Sequence, residues 1–290
     1  MSRGAPGQQG GPGVVTYGLL AVASIAVVVP LLYLVASAFK AEADFLESLF
    51  LPRGEGFAGI AWDRLTLSQF EKLLGDDIGL GRAMLNSLFL SSVTSIIATL
   101  TCAAAGYALV VYRFRGRSAL DWVVIAALVI PPPLLIAPSY QWLYRLGLLD
   151  SYWGVILPAA APAFGVFLFR QASLQSVPKS MIEAARLDGA GELSIFLGIG
   201  LPMLRPMVGA FLMITFLAMW NNFIGPQIVL QTATKQPLSV VMYLTQTSYY
   251  NDYGLMMAGT LVSVVPVVVV FLVLQREFIS GLTAGAVKGE

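Results

Sequence analysis

The sequence predicts an all-α membrane protein, and its composition and its apolar runs both point to that fold class. Of its 290 residues, 57% are hydrophobic and only 11% are charged, whereas a soluble domain is roughly a quarter charged. So large an excess of apolar surface needs lipid as its solvent. Six apolar runs each have room for the ~20 helical residues that cross a hydrocarbon core. None of them alternates in polarity as the strands of a membrane barrel do.

The six runs define the predicted domain organisation. Residues 1–13 are rich in Gly and Pro and predict a disordered cytoplasmic tail. Residues 14–280 form the predicted membrane domain, and residues 281–290 form a second cytoplasmic tail. The predicted spans are residues 14–39, 84–111, 122–143, 152–169, 203–230 and 255–278.

Prolines interrupt the third and fourth spans. Pro131–Pro133 lie within the third span, and Pro158 and Pro162 lie within the fourth. Because proline removes a helix hydrogen bond, we expect flexible points at Pro131–Pro133 and Pro158.

Basic residues predict the orientation of the chain. They are concentrated in short loops such as the turn that holds Arg113, Arg115 and Arg117, and short basic loops face the cytoplasm. Both termini and the segment 177–202 are then cytoplasmic. The polar loops 40–83 and 231–254 face outwards.

Composition also excludes several function classes. The chain has no histidine and a single cysteine, Cys102, so we expect neither a metal site nor a catalytic site. No Gly-x4-Gly-Lys-Ser/Thr loop is present, and the net charge of +1 gives no reason to expect nucleic acid. We therefore expect no cofactor on this chain. The span interiors lack ionisable residues, which disfavours a proton- or sodium-coupled carrier.

The cytoplasmic segment 177–202 has the composition of a helix, a turn and a second helix. Strong helix formers predict a helix at Lys179–Leu187 that Gly189 ends, because glycine takes positive φ at no steric cost. A second helix is expected at Glu192–Gly198. Apolar residues stand beside charged ones along this segment, which fits either a docking surface or an amphipathic segment resting in the headgroup layer.

The same segment resembles a known family. Glu183-Ala184-Ala185, three residues, Gly189, nine residues and Ile199-Gly200-Leu201-Pro202 are similar to the EAA loop of ABC importer permeases. The resemblance implies the type I importer permease fold, with this loop as a coupling helix seated on an ATP-hydrolysing subunit. The residues implied in ATPase coupling are Glu183, Ala184, Ala185, Asp188, Gly189, Ala190, Leu201 and Pro202.

Further likeness points to carbohydrate uptake. Asn86-Ser87-Leu88 is similar to carbohydrate permeases, and the C-terminal run 281–289 is similar to the tail of the smaller permease subunit of maltose-type transporters. The resemblance implies a location in a bacterial plasma (inner) membrane. The resemblance implies a second, homologous permease, two ABC ATPase subunits that use ATP and Mg, and an extracytoplasmic sugar-binding protein. In that group the tail contacts the ATPase, which here implies Gly281, Leu282, Thr283, Gly285 and Lys288.

A neutral sugar is recognised by hydrogen bonding and stacking, which directs attention to polar and aromatic residues within the spans. Two adjacent amides, Asn221 and Asn222, need partners that a water-filled cavity supplies, although Trp220 also fits as an interfacial anchor. Two alternatives remain open: an importer of glycerol-3-phosphate or another polyol derivative, and a channel or scaffold without an ATPase. The candidate pathway residues are Tyr140, Gln141, Trp220, Asn221 and Asn222.

Overall fold

The computed structural model describes residues 13–41, 44, 45, 47–75, 78–248 and 252–286, with side chains as far as Glu277. The described residues are helical apart from loops, short 3-10 and π turns and two isolated β-bridges, which confirms the all-α class. The helices are α1 Val14–Ala38, α2 Ser68–Leu74, α3 Leu80–Val111, α4 Arg117–Val129, α5 Ile136–Arg145, α6 Tyr152–Ile156, α7 Ala163–Ser176, α8 Lys179–Leu187, α9 Glu192–Ile195, α10 Leu201–Met203, α11 Arg205–Trp220, α12 Ile224–Val229, α13 Leu238–Ser248 and α14 Tyr253–Ala286.

Three helices are long and apolar enough to cross a membrane, namely Val14–Ala38, Leu80–Val111 and Tyr253–Glu277. Three further candidates are bent pairs, so the described residues hold between three and six spans. The pairs are Arg117–Val129 with Pro132–Arg145 at 103°, Tyr152–Ala159 with Ala163–Ser176 at 42°, and Glu192–Met203 with Arg205–Trp220 at 80°. Six full spans therefore remain a prediction.

Three of the predicted spans are bent or broken in the structure, and the fourth, predicted as 152–169, bends by 42° between Ala159 and Ala163 and continues to Ser176. The third is broken at Ile130–Pro131, because neither Pro131 nor the residue before it can continue the helix. The fifth, predicted as 203–230, ends its main helix at Trp220 and resumes as the short helix α12.

The chain divides into two compact units. One comprises residues 1–73 and 249–262, and the other comprises residues 74–248 and 263–290. In the smaller unit, the fully buried Lys40 donates to the carbonyl oxygens of Ser48 (2.7 Å) and Leu49 (2.9 Å) and so fixes the loop after α1. Burial lowers the pKa of Lys40, partly offset by the negative charge of Asp44.

In the larger unit, α3 is the central helix and packs against α7 and α11. Glycines make this packing close. A Cβ on Gly106 would lie 2.5 Å from the backbone nitrogen of Arg170, and one on Gly165 would lie 2.3 Å from the ring of Phe211. Small residues at such crossings let helices approach without a hydrophobic driving force between them. The α3–α7–α11 core therefore supplies the frame from which the segment 177–202 projects.

Candidate functional site: the 177–202 loop and the cavity near Asn222

Helix α8 has the bounds predicted from the sequence, and its end is a complete Schellman motif. Gly189 has φ 81°, the left-handed conformation that glycine adopts most readily. The Ala190 N–H donates to the Ala185 carbonyl (3.0 Å), and the Gly189 N–H donates to the Arg186 carbonyl (3.1 Å). These two bonds satisfy carbonyls that a helix end otherwise leaves without partners. The Gly189 position of the motif thus has a local structural reason.

Three buried aliphatic side chains anchor the loop to the core. Ile182 of α8, Ile195 of α9 and Leu204 before α11 are each at most 2% exposed and join the cluster around Tyr107. The Tyr107 ring lies against Gly200, where a Cβ would be 2.7 Å from Cε2. The loop is therefore held from beneath by apolar contacts.

A charged network closes the same loop. The Glu192 carboxylate accepts hydrogen bonds from Nε (2.7 Å) and Nη2 (3.1 Å) of Arg186 and from the Tyr112 hydroxyl (2.9 Å). The Arg186 guanidinium lies 5.8 Å from the centre of the Tyr112 ring, within reach of a cation–π interaction. Tyr112 directly follows α3, so the network ties the end of the central helix to α8 and α9. The sequence reasoning missed these three side chains, whose only local signal is an Arg and a Glu on either side of the glycine turn.

Burial and the hydrogen bond to Glu192 raise the pKa of Tyr112 to about 12. The bonds from Arg186 and Tyr112 lower the pKa of Glu192, and the bond to Glu192 raises the pKa of Arg186. At neutral pH the network is therefore a fixed ion pair with a neutral phenol.

The outward face of the loop combines exposed apolar and charged groups. Leu187 is 89% exposed at the tip of α8, and Leu193 is 70% exposed on α9. Exposed apolar side chains that gather beside charged ones are typical of a docking surface, whereas a single one is ordinary. Of the residues that the resemblance implies in coupling, Ala185 and Leu201 are half-buried, and the exposed ones are Glu183, Ala184, Asp188, Gly189, Ala190 and Pro202.

Two of the candidate pathway residues lie together. Tyr140 of α5 and Asn222, which follows α11, line a cavity of about 350 Å³ beside the Pro131 break. Its other lining residues are uncharged, and Ser139 is among them. Ligand sites are of this kind, mostly apolar with a few polar groups.

The other pathway candidates lie outside that cavity lining. Gln141 is exposed, and the buried Trp220 stacks on Phe216 with 5.9 Å between ring centres. Asn221 Nδ2 donates to the Leu217 carbonyl (2.9 Å), and the Gly225 N–H donates to Asn222 Oδ1 (3.3 Å). Each of the adjacent amides therefore has a backbone partner at the helix end, and Asn222 also lines the cavity.

A polar clamp at the Asn86 end of α3 was also missed. Asn86 Nδ2 donates to the carbonyls of Thr234 and Gln236, both at 3.0 Å, and Asn86 Oδ1 accepts from the Tyr152 hydroxyl at 2.8 Å. Asp150 accepts from the Thr232 N–H (2.9 Å) and from Lys235 Nζ (2.8 Å). These bonds hold the pKa of the Asp150 carboxyl well below its usual range. Sequence separation hides the clamp, because Asp150 and Lys235 lie 85 residues apart.

Neither predicted tail can be placed in full. Helix α14 continues to Ala286, past the predicted end of the sixth span at residue 278. The side chains of Gly281–Gly285 and the whole of Lys288 lie outside the described residues, as do residues 1–12. Within the described part of the chain, no group of three or more Cys, Asp or Glu side chains could hold a metal ion.

Comparison with known proteins places this geometry in context. Residues 101–278 match the family model "Binding-protein-dependent transport system inner membrane component". The chain is 36% identical over 279 residues to the arabinooligosaccharides transport system permease protein AraQ of Halalkalibacterium halodurans, covering 94% of this chain and 95% of AraQ. It is 30% identical to the lactose transport system permease protein LacG of Rhizobium radiobacter, covering 96% and 97%.

The fold has a solved counterpart. A chain in the crystal structure of a bacterial ABC transporter involved in the import of the acidic polysaccharide alginate superposes with a TM-score of 0.75. That match covers 91% of this chain and 95% of the other at 22% sequence identity. This chain therefore shares its fold with a chain of that transporter.

Proposed function

We propose that this chain, which belongs to the family of binding-protein-dependent transport system inner membrane components, carries a sugar or oligosaccharide into the cell as one permease subunit of an ATP-driven importer. It is a multi-pass membrane transport subunit and not an enzyme. Its role is to convert ATP hydrolysis by another subunit into alternating access of the pore.

The exposed, Schellman-capped helix α8 carries this proposal. It is anchored from below by Ile182 and tied to α3 through Tyr112, while Glu183, Asp188 and Leu187 point to solvent. A rigid helix with a free apolar tip suits a surface that transmits motion from a docked partner. An amphipathic segment resting in headgroups would turn that apolar tip into lipid.

The partners follow from the coupling role. Two ABC ATPase subunits would bind ATP and Mg and seat α8 from the cytoplasm, where both termini of this chain also lie. A second, homologous permease would complete the pore, and an extracytoplasmic sugar-binding protein would deliver the substrate. The breaks at Pro131 and beside Leu204, with bends of 103° and 80°, are suitable hinges for rocking between inward- and outward-facing states.

A neutral substrate is supported by the names of AraQ and LacG and by the cavity near Asn222, although a third relative, UgpE of Yersinia pestis, is named for sn-glycerol-3-phosphate transport. AraQ and LacG are named for arabinooligosaccharide and lactose transport. The lining of the cavity is uncharged and offers Tyr140, Ser139 and Asn222 for hydrogen bonding. Glycerol-3-phosphate would favour a cation in such a site, which makes a phosphorylated polyol the weaker candidate. A channel or scaffold without an ATPase would give α8 no partner.

The coupling role is tested by making the same substitution separately at two glycines of the same turn. Gly189 has φ 81° and Gly191 has φ −71°, and a Cβ on either would meet nothing within 4 Å. Gly189→Val forces a β-branched residue into the left-handed region, which costs roughly 1–2 kcal/mol and breaks the helix end. Gly191→Val places the same residue in extended backbone, which valine favours.

We expect Gly189→Val to lower ATP-dependent uptake of labelled oligosaccharide about tenfold or more, the equivalent of that strain, at an unchanged amount in the membrane. Uptake in Gly191→Val should stay close to that of the unmodified chain. Co-purification with the ATPase subunit should weaken only in Gly189→Val. Full uptake by Gly189→Val would contradict the coupling role.

A further inference from the structure

A second cavity of about 360 Å³ lies between the end of α3 and the start of α8. Its walls include the apolar residues Val110, Val111, Val177 and Ile182. Its charged lining residues are Arg113, Arg117, Lys179, Glu183 and Arg186. Four cations thus face one carboxylate around a single concave site.

Most of this positive charge is uncompensated. Arg186 is paired with Glu192, but none of the ion pairs among the described residues involves Arg113, Arg117 or Lys179. Three free cations then stand against Glu183 alone. Clustered like charges repel one another, and a bound anion removes that repulsion.

Backbone dipoles add to the same field. Arg117 is the first residue of α4 and Lys179 is the first residue of α8. The preceding Gly116 and Pro178 provide no side-chain cap. The Arg117 and Met181 N–H groups donate to the Phe114 and Pro178 carbonyls, and the helix dipoles still direct partial positive charge to both first turns. Phosphate is the anion that such a combination of arginines and helix starts binds best.

The position along α3 identifies the source of the phosphate. Val110 and Val111 end a helix long and apolar enough to cross a membrane, and Arg113 and Arg117 follow directly, which is the arrangement of a basic juxtamembrane segment that attracts anionic lipid. An aliphatic floor under a cationic rim matches the glycerol backbone and phosphate of a lipid. A free phosphate would gain nothing from the aliphatic walls.

We propose that this cavity is a binding site for the phosphate of an anionic phospholipid such as phosphatidylglycerol. The lipid bridges the 113–117 turn and the start of α8, and so steadies the loop that carries Gly189. The binding site itself does not depend on the proposed transport role.

The test uses the full chain purified in an uncharged detergent and titrated with short-chain phosphatidylglycerol, with phosphatidylcholine as the neutral lipid and inorganic phosphate as the free anion. Native mass spectrometry measures the bound fraction. Arg117→Gln and Lys179→Gln each remove one lining cation. Arg115→Gln is the matched control, because Arg115 is exposed in the same turn but does not line the cavity.

We expect phosphatidylglycerol to bind in preference to phosphatidylcholine, and its affinity to fall about fivefold in each lining variant, since a basic residue at the membrane surface contributes roughly 1 kcal/mol. Affinity in Arg115→Gln should stay within about twofold of the unmodified chain. Equal losses in all three variants would overturn the site, because loop charge alone would then retain the lipid.

Two other results would overturn the lipid as occupant. Inorganic phosphate that binds with the same dependence on Arg117 and Lys179, and displaces the lipid, would assign the site to the free anion. Lipid binding unaffected by either variant, together with weakened co-purification of the ATPase subunit, would assign the cavity to the protein interface.

Discussion

The two ends of α3 hold their neighbouring loops in different ways. At the Asn86 end, side chains bond to the backbone of loop 230–238: Asn86 to two carbonyls, and Ser87 to the Leu238 N–H at 2.8 Å. At the Tyr112 end, the polar contacts join side chains to side chains, through Glu192 and Arg186. Hydrogen bonds to backbone groups fix the path of a loop, whereas ion pairs between exposed side chains contribute little to its stability.

The difference fits two tasks. At the Asn86 end several hydrogen bonds hold the same loop, and the bonds of Asp150 to Thr232 and Lys235 hold it further. The Tyr112 end depends on buried Ile182 and Ile195 and leaves the outward face of α8 open. A docking surface has to be supported from one side only, because its other side belongs to the partner.

The largest effect is expected where α3 crosses α7, between the two ends. Gly106→Ala would place a methyl 2.5 Å from the backbone nitrogen of Arg170, and backbone cannot move aside as a side chain can. We expect a loss of about 3 kcal/mol in the free energy of unfolding, measured in detergent with increasing SDS. Gly81→Ala is the control in the same helix, with open space around it, and it should cost nothing. Equal stability of the two variants would show that α3 and α7 can separate enough to accommodate the added methyl group.

The next effect tests the backbone-directed end. Asn86→Ala removes three hydrogen bonds and leaves the Tyr152 hydroxyl without its acceptor. We expect the free energy of unfolding to fall by about 2 kcal/mol, since half-buried polar groups lose their partners. Asn221→Ala, which loses one bond to its own helix, should change it by less than about 0.5 kcal/mol. Similar losses in the two variants would remove the distinction between the ends of α3.

Local chemistry explains which features the sequence could predict. The bounds of α8 and the positive φ of Gly189 depend only on helix formers followed by a glycine, all within one turn. The break at Pro131 is equally local, but its angle of 103° depends on how α5 packs. The sequence therefore predicts where the chain bends and not by how much.

Asn221 and Asn222 show the limit of reading an apolar run. The run 203–230 looks continuous in hydropathy, yet helix α11 ends at Trp220. The two amides bond to backbone groups four residues before and three residues after them, and short amide side chains compete in this way with the helix ladder. The clamp between Asp150 and Lys235 is hidden for the opposite reason, since its partners are distant in the chain.

A smaller effect distinguishes the Asp150 clamp by its pH dependence. Because the folded-state pKa of Asp150 lies well below its ordinary value of 3.8, its contribution to stability is present above that value and is lost as the pH falls through the folded pKa. Asp150→Asn should lower the midpoint temperature of unfolding by the same amount between about pH 5 and pH 8. The difference in midpoint from the unmodified chain should disappear in stronger acid. Asp63→Asn removes an exposed carboxylate and should leave the midpoint at pH 7 unchanged. A gap that closes already near pH 6 would contradict the clamp.

The smallest effect concerns the network at the Tyr112 end. Burial is the larger cause of the raised Tyr112 pKa and the bond to Glu192 is the second, so Glu192→Gln should lower that pKa only part of the way from about 12. Phenolate absorbance, taken as the difference from a matched chain with Tyr112→Phe, measures it. Glu183→Gln removes an exposed carboxylate of α8 and should leave the Tyr112 titration unchanged. If both variants shifted it equally, the coupling would be through the general field of the loop. The direct bond would then not be what joins α3 to α8 and α9, and the Tyr112 end would be held by its buried isoleucines alone.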